Sequence, residues 1–264
     1  MANVRVALAQ TQPKIGDVAY NLQQCVSFIE KAAVNNADLV VFPELYFTGY
    51  NLQELDTRVH TLSDEWLPEI HRTLCEVSKA NNIYVIVGLC EQIDGEYYNT
   101  ARLYGRNGEL VGTHKKIFLF ELERNYFSRG TEFKVFDTDF GRLAMLICYD
   151  IGFPETARKM ALLGADLLVF PAAWCERDCH SWLLNVPSRA LENQVYSVGV
   201  NHAGHFGDVH LCGSSLVSNP DGRIALQLGH DEPQLAFCDI DMSIPKQMQA
   251  MESYRYDFER TKVF

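Results

Sequence analysis

The sequence predicts an α/β protein built as a four-layer α-β-β-α sandwich, and three observations lead there. Ala37-Asp38-Leu39-Val40-Val41-Phe42-Pro43 is nearly repeated as Ala165-Asp166-Leu167-Leu168-Val169-Phe170-Pro171, each copy following a helical pattern. Short, fully apolar strands alternate with amphipathic helices in both halves, the grammar of strands buried on both faces. Hairpin signals then close each half. Two sheets, each covered by helices on one side, can bury their other faces against each other. One doubly wound sheet is the alternative.

The elements follow in order. Residues 4–9 alternate and read as the first strand. Residues 21–36 carry Cys25, Phe28, Ile29, Ala32 and Ala33 on one helical stripe. Asp38 leads into a buried strand over 39–42, followed by Pro43-Glu44. A helix over 64–80 places Leu67, Ile70, Leu74 and Val77 on one face, and 83–89 is the third buried strand. Asp94-Gly95 and Asn107-Gly108 are turn signals flanking strands at 97–104 and 109–113. Strands at 133–136 and 143–147 flank Asp139-Phe140-Gly141. Pro154 opens a helix that Gly164 ends, and 167–170 is the next buried strand. A helix over 182–194 and a strand at 196–200 come next. Antiparallel strands at 214–217, 224–228 and 235–240, a short helix and an aromatic, charged tail close the chain. No linker or low-complexity stretch interrupts residues 1–264, so one domain is expected.

Composition excludes several classes. The 264 residues are 47% hydrophobic with a net charge of −11, enough for one large core and without any basic stripe. Nucleic acid is therefore not an expected partner. No apolar run approaches a membrane span, so no membrane partner is expected either. Residues 1–12 read as a strand rather than a secretory leader, which points to a cytoplasmic protein. Its eight cysteines, at 25, 75, 90, 148, 175, 179, 212 and 238, show no framework spacing and are expected as thiols.

Candidate chemistry gathers at strand ends. Cys148 sits where the strand at 143–147 hands over to the helix opened by Pro154. A thiol there is expected to be exposed, beside backbone N–H groups and a positive helix end that favour thiolate. The alternative is a structural buried cysteine. Glu44 leaves the strand at 39–42 in an apolar setting, where an unpaired charge is costly; it is either a solvated loop carboxylate or a general base. Lys115 and Lys116 stand against the apolar run Ile117-Phe118-Leu119-Phe120. Strand neighbours face opposite ways, so one is inward and paired, and Lys116 is the inward candidate. Glu123 could return to the same site or form a surface pair with Arg124. A rival is metal: Cys175, Cys179 and His180 lie close in sequence, with His202, His205, His210 and Cys212 after them. The spacing lacks the matched second half of a zinc site.

VFPELYFTGY around Glu44, HKKIFLF around Lys116 and MLICYDIGFPETAR around Cys148 resemble, in order and spacing, the three signature segments of the nitrilase superfamily of carbon–nitrogen hydrolases. SRALENQVYSVGVN (188–201) and GSSLVSNPDG (213–222) resemble further family blocks, and the likeness runs to about Asp241. The resemblance implies the α-β-β-α sandwich, a catalytic Glu44–Lys116–Cys148 triad, and a second glutamate that Glu123 matches best. It implies no metal or organic cofactor and at least a homodimer, for which residues 253–264 would suit an interface. One family histidine is replaced by Phe118. The implied reaction is hydrolysis of a small-molecule amide through a cysteine thioester, with Lys116 and the Tyr149 backbone N–H holding the oxyanion. Tyr50 and Trp174 are candidate pocket walls, and Arg177 a candidate partner for a substrate carboxylate. A nitrile or an N-carbamoyl compound is the alternative substrate, and a binding or scaffold protein without turnover the alternative class.

Overall fold

The computed structural model describes residues 3–251 and 254–261. Its first half runs β1 (Asn3–Gln10), α1 (Val18–Val34), β2 (Leu39–Val41), α2 (Leu52–Leu55), α3 (Arg58–Asn81), β3 (Tyr84–Ile93), β4 (Glu96–Tyr104) and β5 (Leu110–Lys115). The second half runs β6 (Phe136–Thr138), β7 (Gly141–Met145), α4 (Pro154–Leu162), β8 (Leu167–Ala172), α5 (Cys179–Asn193) and β9 (Tyr196–Asn201). Then follow β10 (Ala203–Phe206), β11 (Val209–Cys212), β12 (Leu216–Ser218), β13 (Ile224–Gln227), β14 (Gln234–Asp241), α6 (Ile244–Gln249) and α7 (Tyr254–Thr261).

Two six-stranded sheets result, ordered β14-β1-β2-β3-β4-β5 and β13-β12-β9-β8-β7-β6. In each, three parallel strands form the middle and antiparallel strands flank them. The near-repeat supplies the centre of each parallel trio: β2 lies between β1 and β3, and β8 between β7 and β9. Both faces of these strands are buried, which is why they read as unbroken apolar runs.

Strand periodicity sorts the side chains into layers. Val4, Val6 and Leu8 of β1, with Leu39 and Val41 of β2, pack with Leu143, Met145, Leu167, Val169 and Val198 of the other sheet. Their neighbours Ala7, Ala9, Val40 and Phe42 face Cys25, Ile29 and Ala32 of α1 and Ile70, Leu74 and Val77 of α3. Across the second sheet, Ala157 and Met160 of α4 and Trp182 and Val186 of α5 close the outer layer. Four layers follow from alternation alone. Each large aliphatic side chain so buried contributes about 1.5–3 kcal/mol.

Three differences from expectation have physical causes. The helix expected over 64–80 begins at Arg58 and carries Pro68 inside it. Buried Val59, Ser63, Ile70 and Leu74 on both sides of the proline outweigh its missing N–H bond. The hairpin β10–β11 was not expected as strands. Its turn signal, Gly207-Asp208, was present, but its four-residue strands are too short for periodicity to mark. Strand β14 does not stay with the second half; it crosses to pair antiparallel with β1 over the whole of Asn3–Gln10. That covers an edge β1 would otherwise leave open. The stretch 253–264 forms α7 over Tyr254–Thr261, and residues 253 and 262–264, part of the expected interface, lie outside the described residues. Among the described residues no helix is long and apolar enough to cross a membrane.

Candidate active site

Four short segments deliver the site. Past β2 the chain stays against β3: the Gly88 N–H donates to the Pro43 carbonyl at 3.1 Å and the Tyr46 N–H to the Gly88 carbonyl at 2.8 Å. A Cβ on Gly88 would stand 2.6 Å from Glu44 Cα, so only glycine lets β3 approach so closely. On the other side His202 Nε2 donates to the Glu44 carbonyl at 2.7 Å. Burial pulls His202 down to about 4, which keeps it a neutral donor. Lys116 directly follows β5 and is tied by its N–H to the Asn99 carbonyl at 2.8 Å. Lys115 turns the opposite way and lays Nζ 3.9 Å above the Tyr98 ring. Glu123 lies in a 3₁₀ turn, Glu121–Asn125, and Cys148 opens another, Cys148–Gly152, just past β7. The Cys148 backbone is left-handed, φ 44°, a conformation that costs a non-glycine residue free energy.

These segments converge on one buried cluster. Lys116 Nζ donates to Glu44 Oε1 at 2.5 Å and to Glu123 Oε1 at 2.7 Å, all three side chains out of solvent. Glu44 Oε1 also accepts from Asn99 Nδ2 at 2.7 Å, and Oε2 from the Ala173 N–H at 3.0 Å. Glu123 Oε1 further accepts from the Tyr50 hydroxyl at 3.0 Å and Oε2 from the Phe120 N–H at 2.8 Å. Burial would lower the Lys116 pKa, but Glu123 and Glu44 reverse this and hold it above the ordinary lysine range. Burial raises Glu123 to about 7 against the opposing pull of Lys116. The alternative surface pair of Glu123 with Arg124 is excluded, since Glu123 is fully buried.

Cys148 borders this cluster but differs from expectation. It is 6% exposed, and burial, then the charge of Glu44, push its thiol well above the ordinary range. The helix opened by Pro154 begins six residues later, beyond the turn that Cys148 itself opens. Local sequence showed the strand end, not the loops that cover it. A cavity of about 280 Å³ opens on Cys148 between Phe120, Tyr149, Trp174, Cys175 and Asp178. Trp174 and Tyr149 both line this cavity. Tyr50 instead reaches the buried side of the cluster through Glu123. Arg177 is exposed and already bound to Glu121 at 2.6 Å and to Asp178 at 3.0 Å. Phe118, at the family's histidine position, stacks on Phe153 with ring centroids 3.7 Å apart.

Two polar groups escaped the sequence. Asn99 bridges both glutamates, with Nδ2 3.3 Å from Glu123 Oε1 as well. Asp150 ties the lysine segment to the cysteine turn: Oδ1 accepts from the Ile117 and Phe118 N–H groups at 3.2 and 2.8 Å, and Oδ2 from the Ile147 N–H at 2.9 Å. Asp150 stands two residues from Cys148 in a quoted motif, a signal that was available; Asn99, mid-strand in a hairpin, had none. Of the metal rival's residues, Cys175 and His180 join no ligand cluster among the described residues, whereas Cys179 falls with Glu176 and His230, and His210 with Glu176 and Asp231.

Comparison with known proteins agrees with this geometry. Residues 5–248 match the carbon–nitrogen hydrolase family. The chain is 32% identical to the omega-amidase of Homo sapiens, covering 92% of this chain and 90% of that one. It is also 32% identical to 2-oxoglutaramate amidase of Bacillus subtilis, over 86% of this chain and 87% of the relative. An amidase variant from Nesterenkonia sp. AN1, in which acrylamide has added to the active-site cysteine, superimposes with a TM-score of 0.85 at 26% identity, covering 98% and 99% of the two chains. The α-β-β-α sandwich and the family match agree, and the chain belongs to the carbon–nitrogen hydrolases of the nitrilase superfamily, in its amidase-like branch.

Proposed function

We propose that the protein cleaves the C–N bond of a small linear amide to a carboxylate and ammonia, through a thioester on Cys148. The observation that carries this is the buried Lys116 Nζ shared by Glu44 and Glu123 beside a thiol that stays protonated. Such a thiol needs a base, and Glu44, whose two oxygens both accept hydrogen bonds, is the carboxylate for it. Glu44 takes the Cys148 proton as sulfur attacks the amide carbon. The oxyanion that forms is held by Lys116 and the Tyr149 N–H. The C–N bond then breaks, and the proton on Glu44 goes to the leaving nitrogen, releasing ammonia. Water, deprotonated by Glu44, attacks the thioester, and sulfur leaves with that proton. Glu123 holds Lys116 and the approach of Glu44 throughout.

The cavity supports a short, uncharged acyl group. Its wall is aromatic and apolar with Asp178 as a carboxylate, and the neighbouring Arg177 is engaged by two acids. The test is a panel of short aliphatic amides, ω-amides of dicarboxylates, nitriles and N-carbamoyl amino acids, with ammonia release and intact mass as readouts. Turnover of short amides with a trapped acyl adduct on Cys148 is expected. Turnover confined to nitriles or N-carbamoyl compounds would replace the amide reading, and no adduct with any of them would return the chain to the scaffold class.

A further inference from the structure

Outside the catalytic cluster, two groups of side chains among the described residues could hold a metal ion, and the one with a sulfur has the fuller donor set. Glu176, Cys179 and His230 present a carboxylate oxygen, a sulfur and an imidazole nitrogen within 4.8 Å of one another. Glu176 and Cys179, three residues apart, lie just before and at the start of α5, and His230 comes from the distant turn before β14. We propose that these three residues bind a borderline-soft divalent cation of the zinc type.

The chemistry of the donors carries the proposal. Thiolate and imidazole together select zinc-like ions over calcium or magnesium. A tetrahedral zinc with ligands about 2.0–2.3 Å away separates its donors by roughly 3.3–3.8 Å, which a triplet of this size reaches by small side-chain rotations. His230 is already oriented: Nδ1 lies 3.3 Å from Ser214 Oγ, leaving Nε2 to face Glu176 Oε2 at 2.6 Å. An imidazole held by its other nitrogen is the usual support for a metal ligand. The same Ser214 Oγ is 4.0 Å from Cys179 Sγ, so one hydroxyl buttresses two of the three donors. Asp231 Oδ1, 3.9 Å from His230 Nε2, is held by His210 Nε2 at 2.7 Å and belongs with His210 and Glu176 to the second group, leaving the fourth position of this site to solvent. Admitting the ion opens the Glu176–His230 contact. Both partners are partly exposed, so that contact contributes little to stability. Glu176 and Cys179 interleave with Trp174, Cys175 and Asp178 of the cavity wall, so an ion here would tie that wall to the turn carrying His230.

The test is a titration of the full chain with cobalt(II), followed by displacement with zinc. It is run in wild type, Cys179→Ser, His230→Gln and Cys148→Ala, the last removing the competing catalytic thiol. One equivalent of cobalt should give a tetrahedral d–d spectrum with a sulfur charge-transfer band that zinc abolishes. Cys179→Ser should lose the charge-transfer band, and His230→Gln, at an exposed position that leaves folding intact, should weaken binding at least tenfold. Cys148→Ala should bind as wild type does. No tetrahedral spectrum at one equivalent, a band that survives Cys179→Ser, or one that disappears in Cys148→Ala would overturn the site.

Discussion

Lys116 Nζ lies 2.5 Å from Glu44 Oε1, with both side chains fully buried. Glu123 shares the same ammonium, so two carboxylates compete for one buried cation. Removing that cation leaves two acids facing each other without compensation, which costs about 3–5 kcal/mol. The neighbouring Lys115 spends its charge above an aromatic ring on the other side of the strand.

Lys116→Ala should therefore lose about 2.7–4 kcal/mol of transition-state stabilisation, the scale of a lost oxyanion donor, and lower the thermal midpoint as well. Lys115→Ala should cost less than about 1 kcal/mol in either measure, the scale of a cation–π contact at a partly exposed position. The comparison is kcat/KM and thermal midpoint for both variants. Similar losses in the two would show that Lys116 does not serve the oxyanion.

Cys148→Ala should abolish turnover. Because burial and Glu44 keep the thiol protonated, the thiolate absorbance of wild type minus Cys148→Ala should show no step below pH 9, its ordinary value. A thiolate step in the neutral range would mean that the resting enzyme holds an ion pair and has no need of Glu44 to remove the proton.

The parts of this site legible in sequence were those where a charge interrupts an apolar strand end. Glu44, Lys116 and Cys148 stand out because the physics there is local: a polar group abuts a run that must be buried, although each kept a structural alternative until the family motifs grouped them. What sequence hid was set by neighbours distant in the chain. Asn99 looks like any polar residue of a hairpin strand, and only the approach of β4 to the turn after β2 makes it a bridge between two acids. The state of the Cys148 thiol was misread because its cover, including Trp174, comes from the segment after β8. The same holds for the fold. Alternation predicted both faces of β2 and β8, whereas the crossing of β14 to β1 depends on which edge is left open, and no local period encodes that.

Glu123 gives a pH signature whose sign is fixed. The unfolded chain releases this proton near 4.5 and the folded chain near 7. Between those values the folded state binds more protons, so this group's contribution to stability falls as pH rises through the window. Glu123→Gln has no such proton. The thermal midpoint of wild type minus that of Glu123→Gln should thus decline from about pH 4.5 to about pH 7 and level off above. A difference that stays flat across the window and falls only below about pH 4.5 would show that Lys116 outweighs burial and that Glu123 is ionised throughout.

Gly88 tests whether backbone placement of Glu44 matters apart from its hydrogen bonds. A methyl group there would meet Glu44 Cα at 2.6 Å, the Pro43 carbonyl oxygen at 2.6 Å and the Leu45 nitrogen at 2.8 Å. All three are backbone atoms, so no side chain can swing aside, and Glu44 itself must move. Overpacking of this kind typically costs about 1–3 kcal/mol of stability. A base displaced by a fraction of an ångström loses its alignment with sulfur and nitrogen, and misplacement of about 1 Å can cost about a hundredfold in rate. Gly88→Ala should consequently lower kcat by one to two orders of magnitude, about 1.4–2.7 kcal/mol in the barrier, in protein that still folds cooperatively. Gly152→Ala, where no atom lies within 4 Å of the added carbon, should leave both kcat and thermal midpoint close to wild type. Kinetics and thermal melts of the two variants, measured side by side, decide it. Full activity in Gly88→Ala would mean that the segment around Glu44 yields to the added carbon without cost, and that its close packing on β3 does not position the base.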